Sequence, residues 1–394
     1  MLPLEGIKVV DLTRILSGPY CTMTLADFGA EVIKIETTNG DDTRQWGPPF
    51  MGDESAYYLS VNRNKKSITL DLKEEAGREV LYKLVKDADV VVENFRPGTL
   101  ERLGADYETL KKHNEGIILA SISGFGQTGP YAGKPGYDVL AQAMGGVMSV
   151  TGEPDSSPVK AGFSIADIGT GMWGIIGILT ALIEREKSGK GQWVDANLLD
   201  TMLSWQTYLA SGYFATKENP KRLGGAHPSI VPYQVFEASN GHFVLAVGND
   251  NQWRILVETL NNADLKAEHY QTNPQRVERR DVLIPLLNSI FKEKKVDDWV
   301  ELFEQAKIPA GPVNELSDIL EDAHILERDM VVNMEHPTAG DIKMVGIPVK
   351  LSRTPGEIKT APPALGEHTE ELLTSLGYSD EIIAKMKADG IIAK

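Results

Sequence analysis

Strands and helices alternate over the first 125 residues, and that alternation limits the fold more than any other feature of the chain. Ile7–Thr13 reads as a buried strand and Arg14–Gly18 as a loop. Pro19, well placed in a first helical turn, opens a helix that runs to about Phe28 and stops at Gly29. Glu31–Glu36 is a second strand. Further strands are predicted at Ser67–Leu72, Asp89–Phe95 and Gly116–Ser123, with helices over about Glu74–Lys86 and 106–113 between them. Strands separated in this way pair in parallel and carry their helices on both faces, so an open α/β sheet is expected. The first turn is Leu16-Ser17-Gly18-Pro19 rather than G-x-G-x-x-G, and no NAD or FAD site is expected.

Ligands of such sheets bind outside the carboxyl ends of the strands. Ser17, Lys73, Asn94, Arg96 and Phe125 lie just beyond those ends, and several of them are basic or small and polar, which suits a phosphate-bearing ligand. Lys65 and Lys66 are equally well read as a solvated, charged loop. The segment 125–162 is rich in loops and glycine, and long irregular segments inside a compact domain are usually functional.

Next comes Phe163–Ile183, in which one acid, Asp167, precedes a run of 16 uncharged residues containing Gly169, Gly171, Gly174 and Gly177. The run reads as a buried helix. Each interior glycine costs a helix about 1 kcal/mol relative to alanine, so the close approach of another backbone or of a ligand is expected to compensate. Asp167 is either the helix N-cap or a buried, ionised carboxylate held as a nucleophile, and the start of the helix favours negative charge in both cases.

Gln192–Ala196 is a strand and 198–216 a second apolar helix. The character changes near 217. Tyr233–Ala238 and His242–Val247 flank Asn240-Gly241, a hairpin signal, and 251–306 is mostly helical. Ile308–Val313 and a helix near 316–328 lead back out. A strand pair or extended segment is expected at Met344–Leu351, a linker at Pro362-Pro363, and two closing amphipathic helices at about 366–373 and 379–388.

A chain of 394 residues exceeds one ordinary core, so two domains are expected. The net charge of −16 argues against general nucleic-acid binding. Cys21 is the single cysteine, which leaves no intramolecular disulfide. The N-terminal residues lack the pattern of a signal peptide, and the uncharged run 168–183 is short and glycine-rich for a membrane span. A cytoplasmic protein with no membrane partner is expected. The seven histidines form no zinc motif, and there is neither G-x-S-x-G nor a P-loop. A carboxylate is therefore the best nucleophile candidate, with Tyr137 and Asp138 as polar neighbours.

Nine blocks then carry a resemblance. They are Gly6–Thr13 with Ser17-Gly-Pro19, Leu25–Glu36, Asn64–Lys73, Val92–Gly98, Ser123–Gly126, Ala166-Asp-Ile-Gly-Thr-Gly171, His227–Ile230, Ile308–Val313 and Leu365–Thr369. In this order, over nearly the whole chain, they resemble the class III CoA-transferases, the superfamily of formyl-CoA transferase, carnitine-CoA transferase and methylacyl-CoA racemase. The resemblance implies a Rossmann-like large domain formed by 1–215 and by a C-terminal return over 331–394. It implies a smaller α/β domain over 216–330 and an interlocked homodimer.

It also implies that Asp167 is catalytic. Coenzyme A contacts fall on Leu16, Ser17, Leu70, Lys73, Asn94, Phe95, Arg96, Arg102, Lys134 and Tyr137. Gly224 and Gly225 resemble a glycine loop that shields reactive intermediates, and His227 is a substrate or loop residue. No permanent cofactor is implied, because CoA and acyl-CoA are substrates. The implied reaction moves CoA from an acyl-CoA to a carboxylic acid through an aspartyl-CoA thioester, with oxyanions held by backbone N–H groups near Gly169 and Gly171. A dicarboxylate such as succinate is one candidate substrate. Leu16 and Thr37 stand where the formyl-CoA enzyme leads one to expect Gln and Arg. An acyl-CoA racemase is the alternative, opposed by Tyr137 where the racemases use histidine. A non-catalytic CoA-binding protein is the third reading.

Overall fold

The computed structural model describes residues 1–393. The chain divides into two compact units. One comprises 1–147, 160–210 and the segment from 324 onward, and the other comprises 148–159 and 211–323.

The first unit is built on six parallel strands: β1 (Lys8–Asp11), β2 (Glu31–Glu36), β3 (Lys65–Thr69), β4 (Val90–Glu93), β5 (Ile118–Ser123) and β6 (Trp193–Asn197). Their spatial order is β3-β2-β1-β4-β5-β6, the doubly wound order in which the winding reverses between β1 and β4. Val9 of β1 lies opposite Val32 on one side and Val90 on the other. Successive residues along a strand face opposite sides, which sorts the apolar residues into two cores. Val9, Val32, Val90 and Ile118 pack with Cys21 and Leu25 of α1 (Ser17–Asp27) and with Ile178 of a later helix. Val10, Ile33, Val91 and Leu119 pack on the other face with Val80, Leu81 and Leu84 of α2 (Glu75–Asp87) and Leu110 of α3 (Tyr107–His113). Leu373 and Ile383, from the two closing helices Thr369–Ser375 and Asp380–Ala388, join this second face.

Three more helices surround the crevice end of the sheet. These are α4 (Asp138–Met144), the 24-residue α5 (Ile165–Ser188) and α6 (Leu198–Ser204). By length and composition α5 is apolar enough to cross a membrane, but it packs along α1 and the sheet. Its glycines explain the fit. A side-chain carbon on Gly171 would sit 2.6 Å from the backbone oxygen of Ser17, so the two helices meet backbone to backbone.

The second unit centres on the hairpin Tyr233–Ala238 and Gly241–Ala246, joined at its edge by Ala310–Pro312. Its core is a cluster of Phe236, Phe243, Phe291, Trp299 and Phe303.

Two local expectations are corrected. The apolar stretch 198–216 is two helices, Leu198–Ser204 and Thr207–Thr216, interrupted at Trp205-Gln206 where Thr207 takes a φ of 29°. The late strand pair is Val331–His336 with Gly340–Val345, ahead of the expected Met344–Leu351. Its alternation of Ile342 and Met344 inward with charged neighbours outward marks a half-buried ribbon.

Candidate active site

The winding of the sheet reverses between β1 and β4, which leaves a crevice beyond their carboxyl ends. Two cavities open there. The first, of about 410 Å³, is lined by Leu16, Ser17, Asn94, Phe95, Arg96, Lys134, Tyr137 and Asp167 among others. The second, of about 560 Å³, is lined by Leu70, Lys73, Phe95 and Arg102 among others. Arg14, Phe95 and Thr99 border both, so the cavities adjoin. The structure thus brings Asp167 and all ten expected coenzyme contacts to one crevice. Gly224, Gly225 and His227 belong to the second unit. There the Gly224 N–H donates to the Gly152 carbonyl at 3.0 Å and the His227 N–H to the Tyr233 carbonyl at 2.9 Å.

Asp167 stands in the first turn of α5. It is not the N-cap, which is Ser164 and makes no side-chain cap bond. The cap comes from another element. Asp138 Oδ2 accepts the backbone N–H of Ala166 at 2.8 Å and that of Asp167 at 3.3 Å. Its Oδ1 accepts from Gln142 Nε2 at 2.6 Å, and Gln142 Oε1 accepts the Ala161 N–H at 2.8 Å. From the other side Ser17 Oγ donates to the Asp167 carbonyl at 2.7 Å. The backbone of Asp167 is therefore held at both its N–H and its C=O.

This arrangement sets the charge of the carboxyl group. Burial, and then the neighbouring Asp138 carboxylate, raise the Asp167 pKa from 3.8 to about 7. The helix start was expected to keep Asp167 ionised, but the free N–H groups already serve Asp138. Gly169 and Gly171 are places of close packing: a side-chain carbon on Gly169 would meet the Trp205 ring at 2.4 Å, and one on Gly171 would meet the backbone oxygen of Ser17.

The loop carrying Lys134 and Tyr137 reaches the crevice through another close approach. The Cα of Gly136 lies 2.5 Å from where a side-chain carbon on Gly124 would stand, so neither position tolerates one. Lys134 Nζ sits 3.9 Å from the centre of the Tyr131 ring, and Arg102 Nη2 donates to Thr99 Oγ1 at 3.0 Å. Asn94 grips Arg14, accepting its N–H at 2.9 Å and donating to its carbonyl at 2.7 Å. Its amide thus shapes the cavity wall as well as lining it.

Sequence reasoning passed over Arg14, Ile15 and Thr99, which line the crevice, and Tyr57. Burial raises the Tyr57 pKa to about 12, helped by the charges of Asp167, Asp41 and Asp138. Its ring lies edge-on to Trp46 at 5.1 Å. Nothing in the local sequence marks Tyr57, because two of the charges that act on it, Asp167 and Asp138, come from remote parts of the chain. Lys65, read equally as ligand-binding or solvated, is neither: it is buried and pairs with Asp11 at 3.1 Å.

Comparison with known proteins points the same way. The chain is 42% identical over 395 residues to succinyl-CoA:glutarate CoA-transferase of Mus musculus, covering all of this chain and 91% of that one. It is 40% identical to succinyl-CoA:mesaconate CoA-transferase of Haloarcula hispanica, covering 95% of this chain and 96% of the relative. A crystal structure of a CAIB/BAIF family protein from Brucella suis superposes with a TM-score of 0.85 at 43% identity, over 95% of this chain and 99% of the other. The family model for CoA-transferase family III matches residues 4–369. With that match and relatives of this similarity along its whole length, the chain belongs to CoA-transferase family III and moves CoA from an acyl-CoA to a carboxylic acid.

Proposed function

We propose that this enzyme exchanges CoA between succinyl-CoA and a five-carbon dicarboxylate of the glutarate or mesaconate kind, through a covalent intermediate on Asp167. The observation that carries the reading is the position of Asp167, in the smaller of two adjoining cavities at the reversal point of the sheet. The relatives named for succinate, glutarate and mesaconate support the choice of acids.

The Asp167 carboxylate attacks the thioester carbonyl, breaking the C–S bond and giving a mixed anhydride and CoA thiolate. The thiolate attacks the aspartyl carbonyl, which releases the donor acid and leaves an aspartyl-CoA thioester. The acceptor carboxylate attacks that thioester, and the freed thiolate then attacks the acyl carbonyl of the second anhydride. A new acyl-CoA leaves and Asp167 is regenerated. A carboxyl group with a pKa of about 7 is more basic than an exposed aspartate, and hence more nucleophilic once ionised. In this reading the second cavity, with Lys73 and Arg102, holds the phosphate-bearing end of CoA, and Lys134 and Arg96 flank the thioester arm.

The working form is an interlocked homodimer, with 1–147, 160–210 and the segment from 324 onward forming the large domain and 148–159 with 211–323 the small one. An apolar stripe along α5, formed by Met172, Trp173, Ile176 and Ile183, is exposed in the single chain and supports cover by a second copy. Light scattering should give twice the mass of one chain.

Trapping tests the chemistry. The enzyme is incubated with a panel of acyl-CoAs, quenched with hydroxylamine and mapped by mass spectrometry. A hydroxamate at Asp167 with succinyl-CoA is expected. Exchange of the α-proton without any hydroxamate would overturn the transferase mechanism, and a hydroxamate formed only with other donors would overturn the choice of acid.

A further inference from the structure

Between the two cavities runs the turn Thr13–Ser17, and its backbone is strained. Ile15 has a φ of 71°, a left-handed conformation that a β-branched residue adopts only when its surroundings impose it. Ile15, Leu16 and Ser17 line the cavity that holds Asp167, and Thr13 and Arg14 line its neighbour. The conformation of this one residue decides how the chain passes from the end of β1 into α1.

Lys34 and Asp41 meet the turn on both sides of the strained residue. Lys34 Nζ donates to the Thr13 carbonyl at 2.7 Å. Asp41 accepts the Ile15 N–H, at 3.3 Å to each carboxylate oxygen. The two side chains pair with each other at 3.0 Å, and both are almost wholly out of solvent. Thr43 adds its N–H at 3.0 Å and its hydroxyl at 2.8 Å to Asp41 Oδ1.

A buried ion pair is a costly way to fill space, since an apolar pair of similar volume is often no less stable. Here the turn presents one backbone acceptor and one backbone donor to the same interior point. Lys34 answers the acceptor and Asp41 the donor. Two residues further on, Ser17 donates to the Asp167 carbonyl, so the turn is tied to the start of α5.

We propose that Lys34 and Asp41 are positioning residues for the acyl-CoA site. By fixing Ile15 in the left-handed conformation, they set where Leu16 and Ser17 stand relative to a thioester placed at Asp167. The inference rests on reading the two cavities as the acyl-CoA site. The charges of Lys34 and Asp41 are consumed within the protein, and neither residue touches reacting atoms. Both residues also border the second cavity, with side chains almost wholly out of solvent, so a direct effect on its wall has to be separated from one passed through Ile15.

That separation is the test. The pair is removed together as Lys34→Met with Asp41→Leu, which leaves neither member of the pair charged without the other. The change is made in the natural chain and in an Ile15→Gly background, where a left-handed φ needs no clamp. Binding of CoA is measured by calorimetry, kcat and KM with succinyl-CoA by steady-state kinetics, and folding by thermal unfolding. In the natural chain the pair change should weaken CoA binding and raise KM by about tenfold, with a smaller change in kcat. In the Ile15→Gly background the same change should cost no more than about threefold. Equal losses in both backgrounds would overturn the proposal, as would a lowered Tm with KM unchanged. Should the pair variant not fold, Lys34→Gln with Asp41→Asn, which removes both charges and keeps the side chains close in size, is taken through the same cycle, with a smaller loss expected in the natural chain and none in the Ile15→Gly background. CoA binding requires no turnover. A wild-type enzyme that binds CoA but forms no hydroxamate at Asp167 would sink the covalent mechanism and leave this cycle standing. A wild-type enzyme that does not bind CoA would sink both.

Discussion

The edge of the parallel sheet beside the cavities and the core of the second unit are filled with opposite chemistry. Around the ends of β1, β2 and β3 the interior holds Asp11, Lys34, Glu36, Asp41 and Lys65, all under 5% exposed. In the second unit the interior is a stack of rings, with Phe291 lying 4.9 Å from Phe236, 5.2 Å from Phe243 and 5.3 Å from Trp299. Apolar burial is non-directional and stabilises in proportion to area. Buried ions cost desolvation and return direction, because each must be met by a partner at hydrogen-bond distance. Asp11 illustrates the balance. Burial pushes its carboxyl pKa up, but Lys65 and Lys34 beside it, with Thr13 and Thr22, outweigh burial and hold it below the ordinary value. The lesson is one of division. The second unit uses its interior for stability, whereas the sheet edge gives part of its interior to holding backbone in place around a reaction.

The sharpest way to break this comparison is at the proposed nucleophile. Asp167→Ala should lower turnover by at least about 10³-fold while leaving the enzyme folded, as read by steady-state kinetics and circular dichroism. In the second unit, Phe291→Ala should lower stability by about 3–5 kcal/mol through lost burial and a cavity, measured by denaturant unfolding. Lys65→Met should cost a similar amount, about 3–5 kcal/mol, for the opposite reason, since it removes the cation bonded to the buried Asp11 carboxylate and leaves only the more distant Lys34. Nearly equal losses from a ring and from an ion would support the division. A negligible loss for Lys65→Met would show that the edge is as forgiving as a solvated surface.

Titration refines the picture further. Asp167 has a pKa of about 7 against a reference of 3.8, so kcat/KM should rise with pH and level off above an inflection near 7. The sign for stability is the reverse. A carboxyl whose pKa is raised by folding favours the folded state fully only below its unfolded pKa, and that contribution is lost as pH climbs through 7. Asp167→Asn should therefore raise Tm by a few degrees at pH 8, with the gain shrinking as the pH falls toward 4. The smallest effect belongs to Asp138→Asn. Removing that charge should move the inflection of the pH–rate profile below 7, because burial of Asp167 is left as the main cause of its shift. An unmoved inflection would mean that Asp138 acts on Asp167 only through the backbone bonds it accepts.

Much of the large sheet is legible in the chain read by itself. Apolar runs such as Val90–Val92 are continuous because parallel strands are covered on both faces, and helices of regular period separate them. The order of those strands, and hence the crevice between β1 and β4, depends on how the connections wind and needed the tertiary structure. The same boundary divides the site. Asp167 and the residues expected to contact coenzyme A were named from the resemblance of local stretches of sequence, and the fold brings them to one crevice. Asp138 was named only as a polar neighbour of the carboxylate, without its capping role, and Lys34 and Asp41 were not named as parts of the site at all. Asp138 caps a helix that begins 27 residues later, and Lys34 serves a carbonyl 21 residues before it. The four glycines of α5 make the point most clearly. Their number announced a close approach, but only the fold shows that what approaches is α1, a tryptophan ring and the sheet. A sequence sets what each residue is able to bond or pack against. Which groups meet is decided by chain closure over long separations, and those meetings place the carboxyl of Asp167 and set its charge.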